Sequence, residues 1–391
     1  MQVYLDNAAT TRLDPRVLAK MKPYLTTKYA NASSIHKPGQ EAYLELLKAK
    51  KSVAKILNGE PENVIFTASA TEANNFIIKG VARANKSGQK NKIIVSAIEH
   101  PCVRESAREL ESEGFRVEFI PATAEGLITP DALRGLIDDK TILVSVMMVN
   151  NEIGTVQDVT ALARVAHEFG AYFHTDAVQA VPYLEIDIKR MGLDFLSLSG
   201  HKFYGPKGVG VAYIDRHKKI RPLIVGGGQE DNYRSGTYNL PGIMGLAYAL
   251  ELAYKERKAY LKKVKSLRDH LLSAIQEEIP GIQINGSLIE RVPANLNVMF
   301  GYVEGEAILI DLSQKGVYVS TGSACSATNL KASHVLRAIG LNKNFLNSNI
   351  RFSLGRFNTR QEIDYTVKCL KDTVKRLRKF SPVKKIGQIL N

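Results

Sequence analysis

The stretch Asp194-Phe195-Leu196-Ser197-Leu198-Ser199-Gly200-His201-Lys202-Phe203-Tyr204-Gly205-Pro206-Lys207-Gly208-Val209-Gly210 decides how the chain reads. Its apolar run, Phe195 to Leu198, predicts a short strand, and the polar turn Ser199-Gly200-His201 then delivers a lysine, Lys202. Gly205, Pro206, Gly208 and Gly210 interrupt any helix, and Val209 to Ile214 predicts a returning strand. A lysine that ends a strand in a turn of small residues is sterically open. Such an amine can approach a carbonyl closely and lose its proton, as covalent chemistry through nitrogen requires.

Upstream, apolar runs at Val64–Thr67, Lys92–Ser96, Phe115–Ile120, Ile142–Val149 and Ala171–Thr175 predict further strands. Helical periodicity lies around them, at about Pro15–Tyr24, Gln40–Leu57, from Thr71 onward, Pro101–Glu113 and Thr160–Phe169. This alternation predicts an α/β fold with a parallel sheet. Downstream, Pro241 to about Ile279 reads as one or two long helices rich in Lys and Glu, joining two domains. Asn295–Phe300 and Val317–Ser320 then predict strands, and Ser333–Ile339 and Arg360 onward predict helices. The expected organisation is a large domain over residues 15–255 and a smaller C-terminal α+β domain, residues 256–391 joined by 1–14.

With 391 residues, 45% of them hydrophobic and 24% charged, the chain has ordinary globular composition. No run reaches the roughly 18 apolar residues that span a membrane, and Met1-Gln2-Val3-Tyr4-Leu5-Asp6 does not resemble a signal peptide. Cys102, Cys325 and Cys369 are too few and too far apart for a disulfide framework, so a cytoplasmic, reducing setting is expected. The net charge of +14 favours acidic partners. It is spread over helical faces and gathers from Lys371 to Lys385 without interleaved aromatic residues, so direct nucleic-acid binding is not expected.

Open α/β sheets bind ligands at the carboxyl ends of their strands. There the sequence sets Ala70-Thr71-Glu72, opening a helix whose free N–H groups suit an anion. It then sets Glu99-His100, Asn150-Asn151, Asp176 with Gln179, and Ser199 with His201 and Lys202. Each has a capping or turn explanation taken singly; together they form a set. No phosphate loop of the nucleotide-hydrolase type, dinucleotide-binding turn or permanent metal site is legible. A planar, phosphorylated aldehyde suits the parts: pyridoxal phosphate needs a Schiff-base lysine, an acid for its ring nitrogen and a phosphate cradle.

The ordered motifs Tyr4-Leu-Asp-Asn-Ala-Ala-Thr-Thr11, Phe66-Thr67 with Ala70-Thr-Glu72, Glu99-His100, Asn150-Asn-Glu-Ile-Gly154, Asp176 with Gln179, and Ser199-Gly-His-Lys202 carry a resemblance. Arg234-Ser-Gly-Thr237, Ser323-Ala-Cys325 and Arg351-Phe-Ser-Leu-Gly-Arg356 extend it over nearly the whole chain. The chain resembles the cysteine desulfurases of iron–sulfur assembly, in the class V aminotransferase group of pyridoxal-phosphate enzymes. The resemblance implies fold type I, with a mostly parallel seven-stranded sheet between helices.

It also implies roles. Lys202 would carry the cofactor, Asp176 would pair with its ring nitrogen, and Gln179 with its phenolic oxygen. His100 would stack on the ring and move protons, and Asn151 would help hold ring and substrate. Ala70, Thr71, Ser199 and His201 would hold the phosphate, with Thr237 reaching it from the second subunit of a homodimer. Arg351, assisted by Asn7, would clamp the substrate carboxylate. Cys325, in a small polar loop at about 320–332 that is expected to be mobile and exposed, would take sulfur from L-cysteine as a persulfide, leaving L-alanine. An iron–sulfur scaffold or another sulfur acceptor, such as a tRNA-thiolating enzyme, would receive it; contact of Cys325 with a cluster would be transient. Cys102 and Cys369 read as packed thiols.

Selenocysteine lyase or another class V enzyme is the nearest alternative reading, and a non-catalytic protein that brings sulfur acceptors together is another. One departure stands out: Ala68-Ser69 replaces the family's usual Ser-Gly. If that glycine supplies a positive φ, Ser69 is expected to be strained by on the order of 1 kcal/mol.

Overall fold

The protein's structure, a computed structural model, describes residues 1–321 and 332–381. A two-residue strand, β1 (Val3–Tyr4), opens the chain. Seven strands then build one sheet: β2 (Val64–Thr67), β3 (Lys92–Ser96), β4 (Arg116–Ile120), β5 (Thr141–Ser145), β6 (Tyr172–Asp176), β7 (Phe195–Ser199) and β8 (Gly210–Ile214). Their order is β2-β8-β7-β6-β5-β3-β4. β8 is antiparallel to both neighbours and every other pairing is parallel. The loop after Lys202 is too short for a crossover helix, so the chain doubles back and β8 pairs with β7 as the predicted return strand.

Helices cover both faces of this sheet, which is why β3, β5, β7 and β8 are buried along their whole length. Alternate strand residues feed two different cores. Ile94, Val144 and Leu196 pack with the helices Pro15–Thr26, Lys37–Leu57 and Val159–Glu168. Ile93, Leu143 and Phe195 pack with Ala70–Asn85 and Pro101–Glu109. The sheet is therefore the middle of three layers.

Leu240–Glu278 is one helix of 39 residues, resolving the choice between one and two. Its first part sends Ile243, Leu246 and Leu250 into the first core. Its last part sends Leu267, Leu271 and Ile275 into another apolar cluster with Val3, Leu5, Val298 and Phe352. Beyond it come β9 (Ile282–Ile284), β10 (Asn295–Phe300), β11 (Val317–Tyr318) and β12 (Asn349–Ser353). β10 lies between β9 and β12, antiparallel to both, and β11 pairs in parallel with β1. Val335, Leu336 and Leu346 join the first core rather than this cluster.

β9, β12 and the helix Gly305–Gln314 did not stand out in the sequence. β12 alternates Asn349, Arg351 and Ser353 with Ile350 and Phe352, yet all five residues are buried. Asn349 and Ser353 bond internally, Asn349 Nδ2 donating to Phe345 O at 2.7 Å and Ser353 Oγ to Leu5 O at 3.2 Å.

Candidate active site

The carboxyl ends of β2, β3, β5, β6 and β7 open on one cavity of about 310 Å³. β2 runs into Ser69, the N-cap of the helix Ala70–Asn85; Ser69 Oγ accepts the Glu72 N–H at 3.1 Å. The backbone at Ser69 is extended, with φ −168°, so the strain expected of a non-glycine residue here does not arise. With the Glu72 N–H taken, those of Ala70 and Thr71 remain at the open end of the helix, and both residues line the cavity. Gly210 lies directly beneath: a Cβ there would meet Ser69 C at 2.7 Å and Ala70 N at 2.9 Å. Glu72 pairs with Arg234 at 2.8 Å, so the motifs beginning at Ala70 and Arg234 meet in one contact.

After β3, His100 caps the helix Pro101–Glu109, its Nδ1 accepting the Cys102 N–H at 3.2 Å and lying 3.0 Å from Cys102 Sγ. With Nδ1 an acceptor, the ring proton belongs on Nε2. Burial, reinforced by the Lys202 charge, holds the His100 pKa below the usual histidine range despite Asp176, so the ring is neutral. Glu99 is fully buried. Burial pushes its pKa up to about 8, with the Asp176 charge adding to the shift. Its Oε1 accepts from Ser96 Oγ at 2.6 Å and from Met147 N at 2.5 Å. Its Oε2 has no partner among the described residues, as suits a protonated acid.

After β5, Asn150 Oδ1 accepts from Glu152 N at 2.9 Å and Ile153 N at 3.0 Å, closing a turn that leaves Asn151 on the cavity wall. β6 ends at Asp176, whose Oδ1 accepts from Val178 N at 2.9 Å and Oδ2 from Asn74 Nδ2 at 2.7 Å. Gln179 Nε2 donates to Ala8 O at 2.9 Å. After β7, Lys202 Nζ donates to Ala8 O at 2.7 Å and Ala9 O at 2.8 Å. Burial, with the Lys202 charge beside it, lowers the His201 pKa to about 4, leaving that ring neutral too.

Arg351, from β12, closes the cavity on the far side. Its Nη2 pairs with Asp6 at 2.7 Å and its Nη1 donates to Asn151 O at 3.0 Å. Its buried Nε has no partner among the described residues.

Of the residues expected to act together, Ala70, Thr71, His100, Asn151, Asp176 and Gln179 line this cavity, as do Ser199, His201, Lys202 and Arg351. Asn7 does not. Its Nδ2 donates to Ser353 O at 2.9 Å and Tyr4 O at 3.3 Å, tying the chain's start to β12. Thr237 lines a separate hollow of about 80 Å³ with Arg234 and Gly236. Cys325 lies outside the described residues. Cys102, expected to be packed away, is on the cavity wall, whereas Cys369 is buried as expected.

Asn74 was missed. It lies one helical turn beyond Thr71, a spacing that puts both on one helix face and could have revealed it. Among the described residues no group of three or more His, Cys, Asp or Glu could hold a metal ion, and no helix is long and apolar enough to cross a membrane.

The family model described as aminotransferase class-V matches residues 3–366. The chain is 44% identical over 388 residues to the cysteine desulfurase IscS of Dictyoglomus turgidum, covering 99% of this chain and 98% of the relative. It is 45% identical over 385 residues to the cysteine desulfurase of Homo sapiens, covering 97% of this chain and 83% of the relative. Among solved structures, a NifS-like protein superposes with a TM-score of 0.91 at 39% identity, covering 96% of this chain and all of the other.

Proposed function

The chain belongs to the class-V aminotransferase family and its activity is that of a cysteine desulfurase; we propose that the cavity around Lys202 is where L-cysteine binds and loses its sulfur. The observation that carries this reading is the convergence of Lys202, Asp176, the open helix end at Ala70–Thr71 and Arg351 on one cavity.

The family's enzymes use pyridoxal phosphate, and the donors here fit that group. Two N–H groups at a helix N-terminus, with Ser199 and His201 beside them, suit a phosphate. A buried carboxylate that receives only donors suits a ring nitrogen carrying a proton. Lys202 would be the point of attachment, His100 would lie against the ring, and Gln179 and Asn151 would hold its edge. When bound, the cofactor supplies a protonated ring that withdraws electrons from the substrate's α-carbon.

The chain's own groups do the rest. Arg351 holds the substrate carboxylate, a role its unpartnered Nε supports. Lys202, released from its attachment as the neutral amine, would take the α-proton. The Cys325 thiolate attacks the substrate sulfur: an S–S bond forms as the C–S bond breaks, and the electrons of that bond stay on carbon. The β-carbon is then protonated to the methyl group of alanine, and Lys202 returns a proton to the α-carbon. The persulfide passes to an acceptor protein, foremost an iron–sulfur scaffold. We propose a homodimer in which Thr237 of one subunit completes the phosphate site of the other.

The test is Cys325→Ser. The protein should keep the visible absorbance of its bound cofactor and lose persulfide transfer to an acceptor. Full sulfur transfer by this variant would overturn the role of Cys325.

A further inference from the structure

We propose that Asn74 is the positioning residue that fixes the Asp176 carboxylate for desulfuration, an inference that rests on the reading of Asp176 given above. Asn74 is 0% exposed, yet its neighbours on the same helix, Ala73, Phe76, Ile77 and Ile78, are buried apolar residues. Packing alone would favour leucine in such a place. The amide is kept there by what it touches. Nδ2 donates to Asp176 Oδ2 at 2.7 Å and lies 3.2 Å from Cys102 Sγ, and Oδ1 accepts from Ser197 Oγ at 2.5 Å.

These contacts fix the direction of the amide. A carboxylate can only accept, so it takes the nitrogen end, and the Ser197 hydroxyl proton takes the oxygen end. One side chain therefore ties the helix Ala70–Asn85 to the end of β6 and the middle of β7. Asp176 itself has one rigid backbone donor, Val178 N, and one side-chain donor, Asn74. Among the described residues His100 makes no hydrogen bond to it, its Nδ1 being engaged by the Cys102 N–H, and Glu99 Oε2 finds no partner.

Without Asn74, a buried carboxylate oxygen loses its donor. The group must rotate or give up its charge, and either change takes away its hold on a ring nitrogen. Ser197, on the strand that leads to Lys202, sets the amide, so the acid and the lysine are kept in register through it.

The test compares Asn74→Leu and Ser197→Ala with Asp176→Ala, each in the full-length chain. Apoprotein is titrated with pyridoxal phosphate and followed by fluorescence. Turnover is then measured with ordinary and α-deuterated L-cysteine. Asn74→Leu should weaken cofactor binding and lower kcat, each by roughly tenfold, consistent with loss of a hydrogen bond to a charged group. KM for cysteine should stay within about threefold and the deuterium isotope effect should grow, a combination that a merely structural role would not produce. Ser197→Ala should move the same readouts by less, and it decides the matter if Asn74→Leu does not fold. The proposal fails if the folded variants keep parental cofactor affinity and isotope effect while Asp176→Ala loses both. If Asp176→Ala keeps both as well, the reading of Asp176 fails and takes this inference with it.

Discussion

Glu99 and Asp176 are two buried acids whose hydrogen bonds differ, and the Asp176 charge adds to the upward shift of Glu99. Asp176 takes donors on both oxygens, whereas Glu99 leaves one oxygen for its own proton. An unfolded glutamate ionises near 4.5 and folded Glu99 near 8, so the folded state holds an extra proton between those values. The stability this contributes is complete below about 4.5 and is lost as pH rises through about 8. Glu99→Gln, which cannot ionise, should match the parent near the acid end of that window. Near its alkaline end the variant should be the more stable, by about 4 kcal/mol, as read by denaturant unfolding across pH. Equal pH dependence in the two proteins would contradict a neutral Glu99. Ser69→Ala should cost about 1 kcal/mol by the same measurement, through loss of the N-cap. Lys202 and Asp176 were legible because a reactive group at a strand end has few structural reasons to be there. Asn74 was not, because its partners Ser197 and Asp176 are more than a hundred residues away and its own setting reads as an ordinary helix.

At the scale of elements, the cavity depends on how closely β8 passes under the turn from β2 into its helix. Gly210 makes that passage possible. In Gly210→Ala the added methyl would press on Ser69 C, Leu198 O and Ala70 N, which are all backbone and cannot rotate away. The variant should lose about 1–3 kcal/mol of stability and bind pyridoxal phosphate more weakly, measured by denaturant midpoint and by cofactor titration. Unchanged values for both would mean that the turn is free to shift. The strands of the large sheet were legible as short apolar runs because helices bury both of their faces. Val64–Thr67 and Lys92–Ser96 begin and end where the apolar pattern does. The Gln40 helix instead starts at Lys37, since Pro38 fits a first turn and His36 caps it. β12 stayed hidden because polar residues on a buried strand imitate an exposed face.

For the whole molecule, five strand ends from one sheet supply the acid, the lysine, the histidine and the open helix end at Ala70–Thr71, and β12 brings the arginine. The order of the strand ends could be read from the chain, but their convergence on one cavity depends on a strand order that periodicity does not encode. The proposed dimer makes a further prediction. A hybrid of Lys202→Ala and Thr237→Ala subunits places both lesions on one of its two sites, so mixing the two weak variants should recover activity; no recovery would remove Thr237 from the shared site. The net charge of +14 predicts that binding of an acidic sulfur acceptor weakens with added salt, which titration at two ionic strengths would show. The central claim is that Lys202 is the amine to which pyridoxal phosphate is attached, and the most direct measurement is borohydride reduction of the holoprotein followed by peptide mass mapping. The account predicts the pyridoxyl group on Lys202; its appearance on another lysine, or on none, would contradict it.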